Sequence, residues 1–122
     1  MSDVTDAVDP TTKKIADLND ALRTTFTGGT IVMTRGIQAL TDGDRAMVLA
    51  AVMRFKEFNE DNDPWHLHDM AILTVPGING VGEHRIMFKV DTYDLKMQFL
   101  SPAPEDPLQT RRVLTILLAS EY

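Results

Sequence analysis

The chain contains no cysteine, which excludes disulfide bonds, thiolate metal ligands and cysteine nucleophiles together. A secretory signal is also missing, because residues 1–10 carry three aspartates, no basic residue and no apolar run. The longest uninterrupted apolar run, residues 46–53, is too short to span a bilayer. These absences predict a cytoplasmic protein that does not enter the membrane.

Basic residues are scarce relative to acidic ones, since 12 Lys and Arg against 18 Asp and Glu give a formal net charge of −6. An acidic surface disfavours binding to nucleic acid and to anionic membranes, but it permits a basic protein partner. We therefore expect no direct nucleic-acid binding and no membrane binding. A chain of 122 residues accommodates one domain and buries enough surface to fold without a metal or a disulfide.

The N-terminal half shows helix and strand signals separated by glycines. Asp9 followed by Pro10 is typical of a helix start, because the aspartate accepts from free backbone N–H groups and proline suits the first helical position. Gly28 and Gly29 predict the end of that helix. The predicted elements are a disordered tail over residues 1–8, a first helix from residue 9 to the glycine pair, a strand over residues 30–34 and a second helix over residues 41–58.

The C-terminal half contains an alternating segment, residues 84–93, which predicts a strand with Ile86, Phe88 and Val90 facing the core. Two further strands are predicted over residues 70–75 and 96–100. A final helix is predicted to start at Asp106–Pro107 and to end at the chain terminus. Its predicted buried residues are Val113, Leu114, Leu117 and Leu118. The resulting order, α-β-α-β-β-β-α, predicts an α+β fold with a mostly antiparallel sheet packed by helices. We expect a single domain over residues 9–122.

The densest group of polar residues lies between the second helix and the next strand, over residues 57–69, which we call the acidic loop. Carboxylates on an exposed loop attract a basic partner, and a tryptophan among them provides an apolar anchor. We therefore predict that this loop binds a protein partner. The candidate contact residues are Glu57, Glu60, Asp61, Asp63, Trp65, His66, His68 and Asp69.

The same loop raises the alternative of a metal site or a histidine-based catalytic site. His66 and His68 are two residues apart, so their rings share one side of an extended segment. Their spacing matches no zinc or calcium motif, and Pro64 follows the aspartate pair where a calcium loop requires glycine. We expect no metal, no cofactor and no catalytic residue.

Two other polar groups are candidates for binding. Lys89, Asp91 and Tyr93 share the strand face opposite the predicted core, which makes them a secondary candidate surface. Arg111 and Arg112 are adjacent and suit an anion, although two basic residues are too few for a nucleic-acid footprint.

Three parts of the chain are distinctive: Asp61-Asn62-Asp63-Pro64 with His68-Asp69, residues 89–94 and residues 110–122. They resemble a family of small bacterial proteins known as domain of unknown function 3768. In that family a glutamate often stands at the position of Leu67, and a second tyrosine often stands at that of Thr92. The resemblance covers most of the chain from residue 30 onward and implies no catalytic residue. It implies an association with plasmids and other mobile elements.

These observations favour a small acidic, non-enzymatic protein-binding module. A mobile-element setting suggests that it inhibits a basic, nucleic-acid-handling host defence complex, in the manner of an anti-CRISPR protein. The first alternative is a small metal-dependent or histidine-based hydrolase that uses the acidic loop. The second is a structural, dimer-forming protein, and the sequence is compatible with both a monomer and a homodimer.

Overall fold

The computed structural model describes residues 8–77 and 83–122, so most of the predicted tail lies outside the described residues. Helices accompany a four-stranded, mostly antiparallel sheet, which confirms the α+β class. The elements are α1 (Pro10–Thr25), β1 (Thr30–Met33), α2 (Arg35–Gln38), α3 (Asp42–Arg54), β2 (Met70–Pro76), β3 (Glu83–Tyr93), β4 (Arg111–Leu118) and a final 3-10 turn (Ala119–Glu121).

The strand order across the sheet is β1-β4-β3-β2. β2, β3 and β4 form an antiparallel meander, and β1 adds to the far side of β4 in parallel. The glycine-rich residues 76–82 between β2 and β3 predict a hairpin connection, and residues 78–82 lie outside the described residues. The pairing of Pro76 with Glu83 at its two ends agrees with a hairpin.

The predicted register of β3 is confirmed, because Ile86, Phe88 and Val90 are all buried. Their face of the sheet packs against the helices and forms one apolar core. Burial of this apolar surface is the main force that holds the two layers together. The core residues are Leu22, Ile37, Leu40, Val48, Val52, Ala71, Val75, Ile86, Phe88, Val90, Leu114 and Ile116.

The first helix begins where the sequence predicts, since the Asp9 carboxylate accepts a hydrogen bond from the backbone N–H of Thr12 at 3.1 Å. It ends before the two glycines. Phe26 adopts a left-handed conformation and donates its N–H to the carbonyl of Leu22. A phenylalanine bears this conformation because its ring packs against the core.

The second predicted helix is α3, and it ends at Arg54 instead of residue 58. The guanidinium of Arg23 on α1 donates to the carbonyls of Val52 and Phe55 at 2.9 and 2.6 Å. Val52 lies in the last turn of α3 and Phe55 caps the helix, so Arg23 satisfies carbonyls that lack the usual donor four residues later. The chain then turns away, and the rings of Phe55 and Phe58 pack edge-on against Phe88.

The predicted final helix is wrong, because Arg111–Leu118 is the strand β4. Leucines at spacings of three and four fit a helix, but the buried residues alternate as in a strand: Arg112, Leu114 and Ile116. Pairing with β1 and β3 on both sides overrides the local helical signal. The Asp106 side chain accepts from the N–H of Leu108, and so caps a turn and not a helix.

The predicted strand over residues 96–100 is also wrong. The Asp94 carboxylate accepts from the N–H of Gln98 at 3.0 Å, and Met97 has a positive φ of 59°. These features make a turn, in which Leu100 alone bridges back to Tyr93. The fourth strand of the sheet is therefore a later segment than predicted.

The sequence pattern did not predict two further features of the fold. Residues 70–75 are apolar on both faces, a pattern that predicts a buried strand, but β2 lies at the sheet edge and leaves Ile72 45% exposed. The short helix α2 was not predicted. It is held by the C-terminal turn, where the Glu121 carboxylate accepts from the Thr34 hydroxyl at 2.6 Å and the N–H of Gly36 at 2.9 Å.

Candidate functional site

The outer half of the acidic loop is held in shape by its own asparagines. The Asn59 side chain accepts from the N–H groups of Asp61 and Asn62 at 2.8 and 3.0 Å. The Asn62 side chain accepts from the N–H of Asn59 at 2.8 Å and donates to the carbonyl of Glu57 at 2.9 Å. Side chains of this type satisfy backbone groups in turns. The segment is therefore ordered without any partner.

The inner half of the loop is tied to α1 through one histidine between two aspartates. The Nδ1 atom of His68 lies 2.8 Å from the Asp20 carboxylate, and its Nε2 atom lies 3.6 Å from the Asp63 carboxylate. Asp63 is only 5% exposed and also accepts from the N–H groups of Leu67 and His68 at 3.1 and 3.2 Å. Asp63 is therefore a structural residue of the loop.

The histidine ring is fixed by stacking as well as by its contacts with the two carboxylates. The rings of Phe58 and His68 stack with centroids 4.1 Å apart and planes 3° from parallel. Both loop histidines, His66 and His68, adopt left-handed backbone conformations with φ of 59° and 54°. Two such residues in one short segment cost conformational energy, which the surrounding contacts offset.

A buried polar network continues from the loop into the sheet. Asn19 on α1 donates to the carbonyl of Leu67 at 3.0 Å and accepts from the guanidinium of Arg112 at 2.9 Å. Arg23, one turn later on the same helix, donates to Asp20 at 2.9 Å. Sequence reasoning missed these α1 residues. Their signal was two polar side chains four residues apart, within the apolar stripe of the helix.

A cavity of about 290 Å³ opens between the two halves of the loop. Two carboxylates and two imidazoles line it, and its described lining includes no lysine, arginine, serine or threonine. Such a lining favours a cationic group and lacks a hydroxyl, thiol or amine nucleophile. The lining residues are Phe58, Asn59, Glu60, Asp63, His66 and His68.

The structure divides the predicted contact residues of the acidic loop into outward and inward groups. Trp65 is 77% exposed. The carboxylates of Glu57, Glu60 and Asp61 are also exposed. Asp63 is buried, and His66, His68 and Asp69 are half-buried. Asp63 and His68 hold the inner half of the loop together. The secondary candidate residues lie on the sheet face opposite the helices, where Lys89 and Asp91 pair at 2.8 Å.

The environment of the Asp69 carboxyl group disfavours its ionised form. Burial raises the pKa of Asp69 above its ordinary value of 3.8, and the nearby carboxylates of Asp63 and Asp91 raise that pKa further. The folded state therefore binds the proton more tightly than the unfolded state, and stability decreases as the pH rises through the pKa of the folded state.

Asp69→Asn is accordingly expected to raise the Tm at pH 7, because the variant removes a charge that folding disfavours. The difference from the parent should vanish near pH 3, where Asp69 is protonated in both states. Thermal unfolding monitored by circular dichroism at the two pH values measures this effect. Asp61→Asn, at an exposed position of the same loop, is the matched control. A lower Tm for Asp69→Asn at pH 7 contradicts the assignment.

Within residues 8–77 and 83–122, no group of three or more histidine, aspartate or glutamate side chains is arranged to hold a metal ion. No helix in this part of the chain is long and apolar enough to cross a membrane.

The fold and the site define an α+β protein whose sheet is covered by helices on one face, and whose polar loop is fixed to the first helix. The chain belongs to the family described as Protein of unknown function (DUF3768), whose model matches residues 33–121. No curated protein and no solved structure matches the chain significantly.

Several residues that carry the family resemblance make the structural contacts described above. Asn62 and Asp63 shape the acidic loop, and His68 attaches it to α1. Arg112 anchors β4 to α1, and Glu121 holds the C-terminal turn against α2. In this chain, these residues therefore help to hold the fold together.

Proposed function

We propose that this protein is a non-enzymatic binding module whose acidic loop docks onto a basic segment of a protein partner. The observation that carries the proposal is the exposure of Trp65 on a loop that is already ordered. A large aromatic side chain on a preformed loop binds at low entropic cost, since few rotatable bonds are frozen. Aromatic residues of this kind dominate the energy of many interfaces.

The charges around Trp65 support a basic partner. Glu57, Glu60 and Asp61 are exposed, and the loop asparagines hold the backbone that displays them. Clustered carboxylates steer a positively charged surface toward the loop and accelerate association. The adjacent cavity, with its two carboxylates, suits a lysine or arginine side chain of that partner.

The biological role that we infer is inhibition of a bacterial host's nucleic-acid-handling defence complex in the cytoplasm, by a protein carried on a mobile element. Such complexes display basic surfaces for nucleic acid, and an acidic module that occupies one of them blocks its function. The net charge of −6 and the absence of cysteine support this setting.

A histidine-based hydrolase is the second candidate, because the close contact between His68 and Asp20 resembles the pairing that orients a catalytic imidazole. The geometry supports it less well. Both ring nitrogens of His68 face carboxylates, and the described cavity lining offers no hydroxyl or amine as nucleophile.

The binding proposal predicts different kinetic effects for the anchor and for the charges. Trp65→Ala should accelerate dissociation roughly 10- to 30-fold, corresponding to about 1.4–2 kcal/mol, because the buried aromatic anchor is lost. Glu60→Lys and Asp61→Lys should slow association several-fold and reduce its salt dependence. The measurement is surface plasmon resonance at several salt concentrations, on a partner first identified by affinity capture and mass spectrometry.

Two control variants match these changes elsewhere on the surface. Phe99→Ala removes an aromatic ring that is exposed outside the loop, and Glu105→Lys reverses a charge between β3 and β4. Both should leave the rate constants unchanged. If all three loop variants bind within about twofold of the parent, which is under about 0.5 kcal/mol, the loop is not the interface. The face of Lys89, Asp91 and Tyr93 is then the next surface to test.

A further inference from the structure

A second cavity, of about 280 Å³, lies where β1 and β4 begin side by side, and none of its lining residues belongs to the acidic loop. Although the chain is strongly acidic overall, the described lining of this cavity contains two arginines and no carboxylate. The local charge is therefore opposite to the net charge of the protein. The lining residues are Gly28, Gly29, Thr30, Met97, Thr110, Arg111 and Arg112.

Neither arginine is neutralised by a described carboxylate. The Nε atom of Arg111, which is exposed, donates to the carbonyl of Leu95 at 3.0 Å. Arg112 is only 3% exposed, and it donates to the Asn19 side chain and to the carbonyl of Pro104, both of which are neutral. Burial lowers the pKa of Arg112, as expected for a cation away from water without a counter-ion.

The glycine pair adds backbone donors to the same cavity. Gly28 has a φ of 92°, and both glycines are exposed. Among the described residues, neither of their backbone N–H groups makes a hydrogen bond. A side chain at Gly29 would place its Cβ atom 2.5 Å from the carbonyl oxygen of Arg112, so only glycine brings this turn so close to β4. Successive free N–H groups in such a turn form a concave site for anions.

We propose that this cavity is a binding site for the phosphate group of a small phosphate monoester. The exposed guanidinium of Arg111, the free backbone N–H groups and the Thr30 hydroxyl match the oxygen acceptors of that group. The buried charge of Arg112, which has no counter-ion, adds to the positive potential at the cavity. The cavity has room for one phosphate and a small substituent. Its acidic surroundings disfavour a nucleic-acid strand, which brings many phosphates along the surface.

Binding is tested with inorganic phosphate and glycerol phosphate as probes, by isothermal titration calorimetry and by ¹H–¹⁵N NMR of the full chain. The backbone amide signals of Gly28 and Gly29 should shift on addition of either probe, with chloride at matched ionic strength as the reference. Arg111→Gln should weaken binding at least tenfold, because it removes the exposed guanidinium. Arg85→Gln is the matched control, since Arg85 is an exposed arginine on the adjacent strand β3.

Three results overturn the proposal. In the first, chloride produces the same shifts of the two glycine signals as phosphate does. In the second, Arg85→Gln weakens binding as much as Arg111→Gln. In the third, a single-stranded oligonucleotide binds more tightly than glycerol phosphate, which identifies the ligand as a nucleic-acid backbone. These outcomes are independent of the acidic loop, so they leave the proposed protein-binding function untouched.

Discussion

Phe88→Ala is expected to lower the free energy of unfolding by about 3–5 kcal/mol. Phe88 is fully buried at the centre of β3, and its ring meets those of Phe55 and Phe58 edge-on. The guanidinium of Arg23 lies 5.2 Å from its centroid. Removing the ring leaves a cavity that the sheet on one side and the helices on the other cannot both close.

Urea unfolding monitored by circular dichroism measures this change as a shift in the midpoint. Phe99→Ala is the matched control, because its ring is exposed on the turn after β3. The control should stay within about 0.5 kcal/mol of the parent. A folded Phe88→Ala protein with the parent midpoint rejects the register in which Phe88 faces the helices.

Asp63→Ala is expected to cost roughly 2–4 kcal/mol, because it leaves two partly buried backbone N–H groups without an acceptor, at about 1–3 kcal/mol each. Those groups belong to Leu67 and His68. The substitution also removes the carboxylate on the Nε2 side of the His68 ring. The inner half of the acidic loop should then detach from α1, while the sheet remains folded.

The same unfolding experiment measures the energetic cost, and hydrogen exchange of the Leu67 and His68 amides reports the local loosening. Asp61→Ala is the control, since its carboxylate is exposed two residues earlier. Its effect should be within about 0.5 kcal/mol. If the two variants are equally stable, then Asp63 is not a structural residue, and the division of the loop into outward and inward residues is wrong.

The sequence locates the candidate loop but does not distinguish its exposed contact residues from its structural residues. The sequence predicts that eight loop residues contact a partner. The structure instead gives two of them structural roles: Asp63 is buried, and His68 binds Asp20 on α1, which is 48 residues away in the chain. A contact of that sequence separation has no local signature.

The sequence by itself determined the features that depend on neighbouring residues. The Asp9–Pro10 start of α1, the strand β1 and the alternation that buries Ile86, Phe88 and Val90 follow from capping and periodicity. The family membership and the α+β class were likewise available from the residues alone.

Only the tertiary structure decided the secondary structure of segments whose local sequence signals are ambiguous. Residues 111–118 fit a helix and a strand equally well by spacing, and pairing between β1 and β3 selected the strand. The same pairing turns Arg111 and Arg112 to opposite faces of the sheet and sets the Gly28–Gly29 turn beside them. Strand pairing and burial depend on residues that are distant in the sequence. Their energies exceed the intrinsic propensities of single residues, which are a few tenths of a kcal/mol each, and therefore override them.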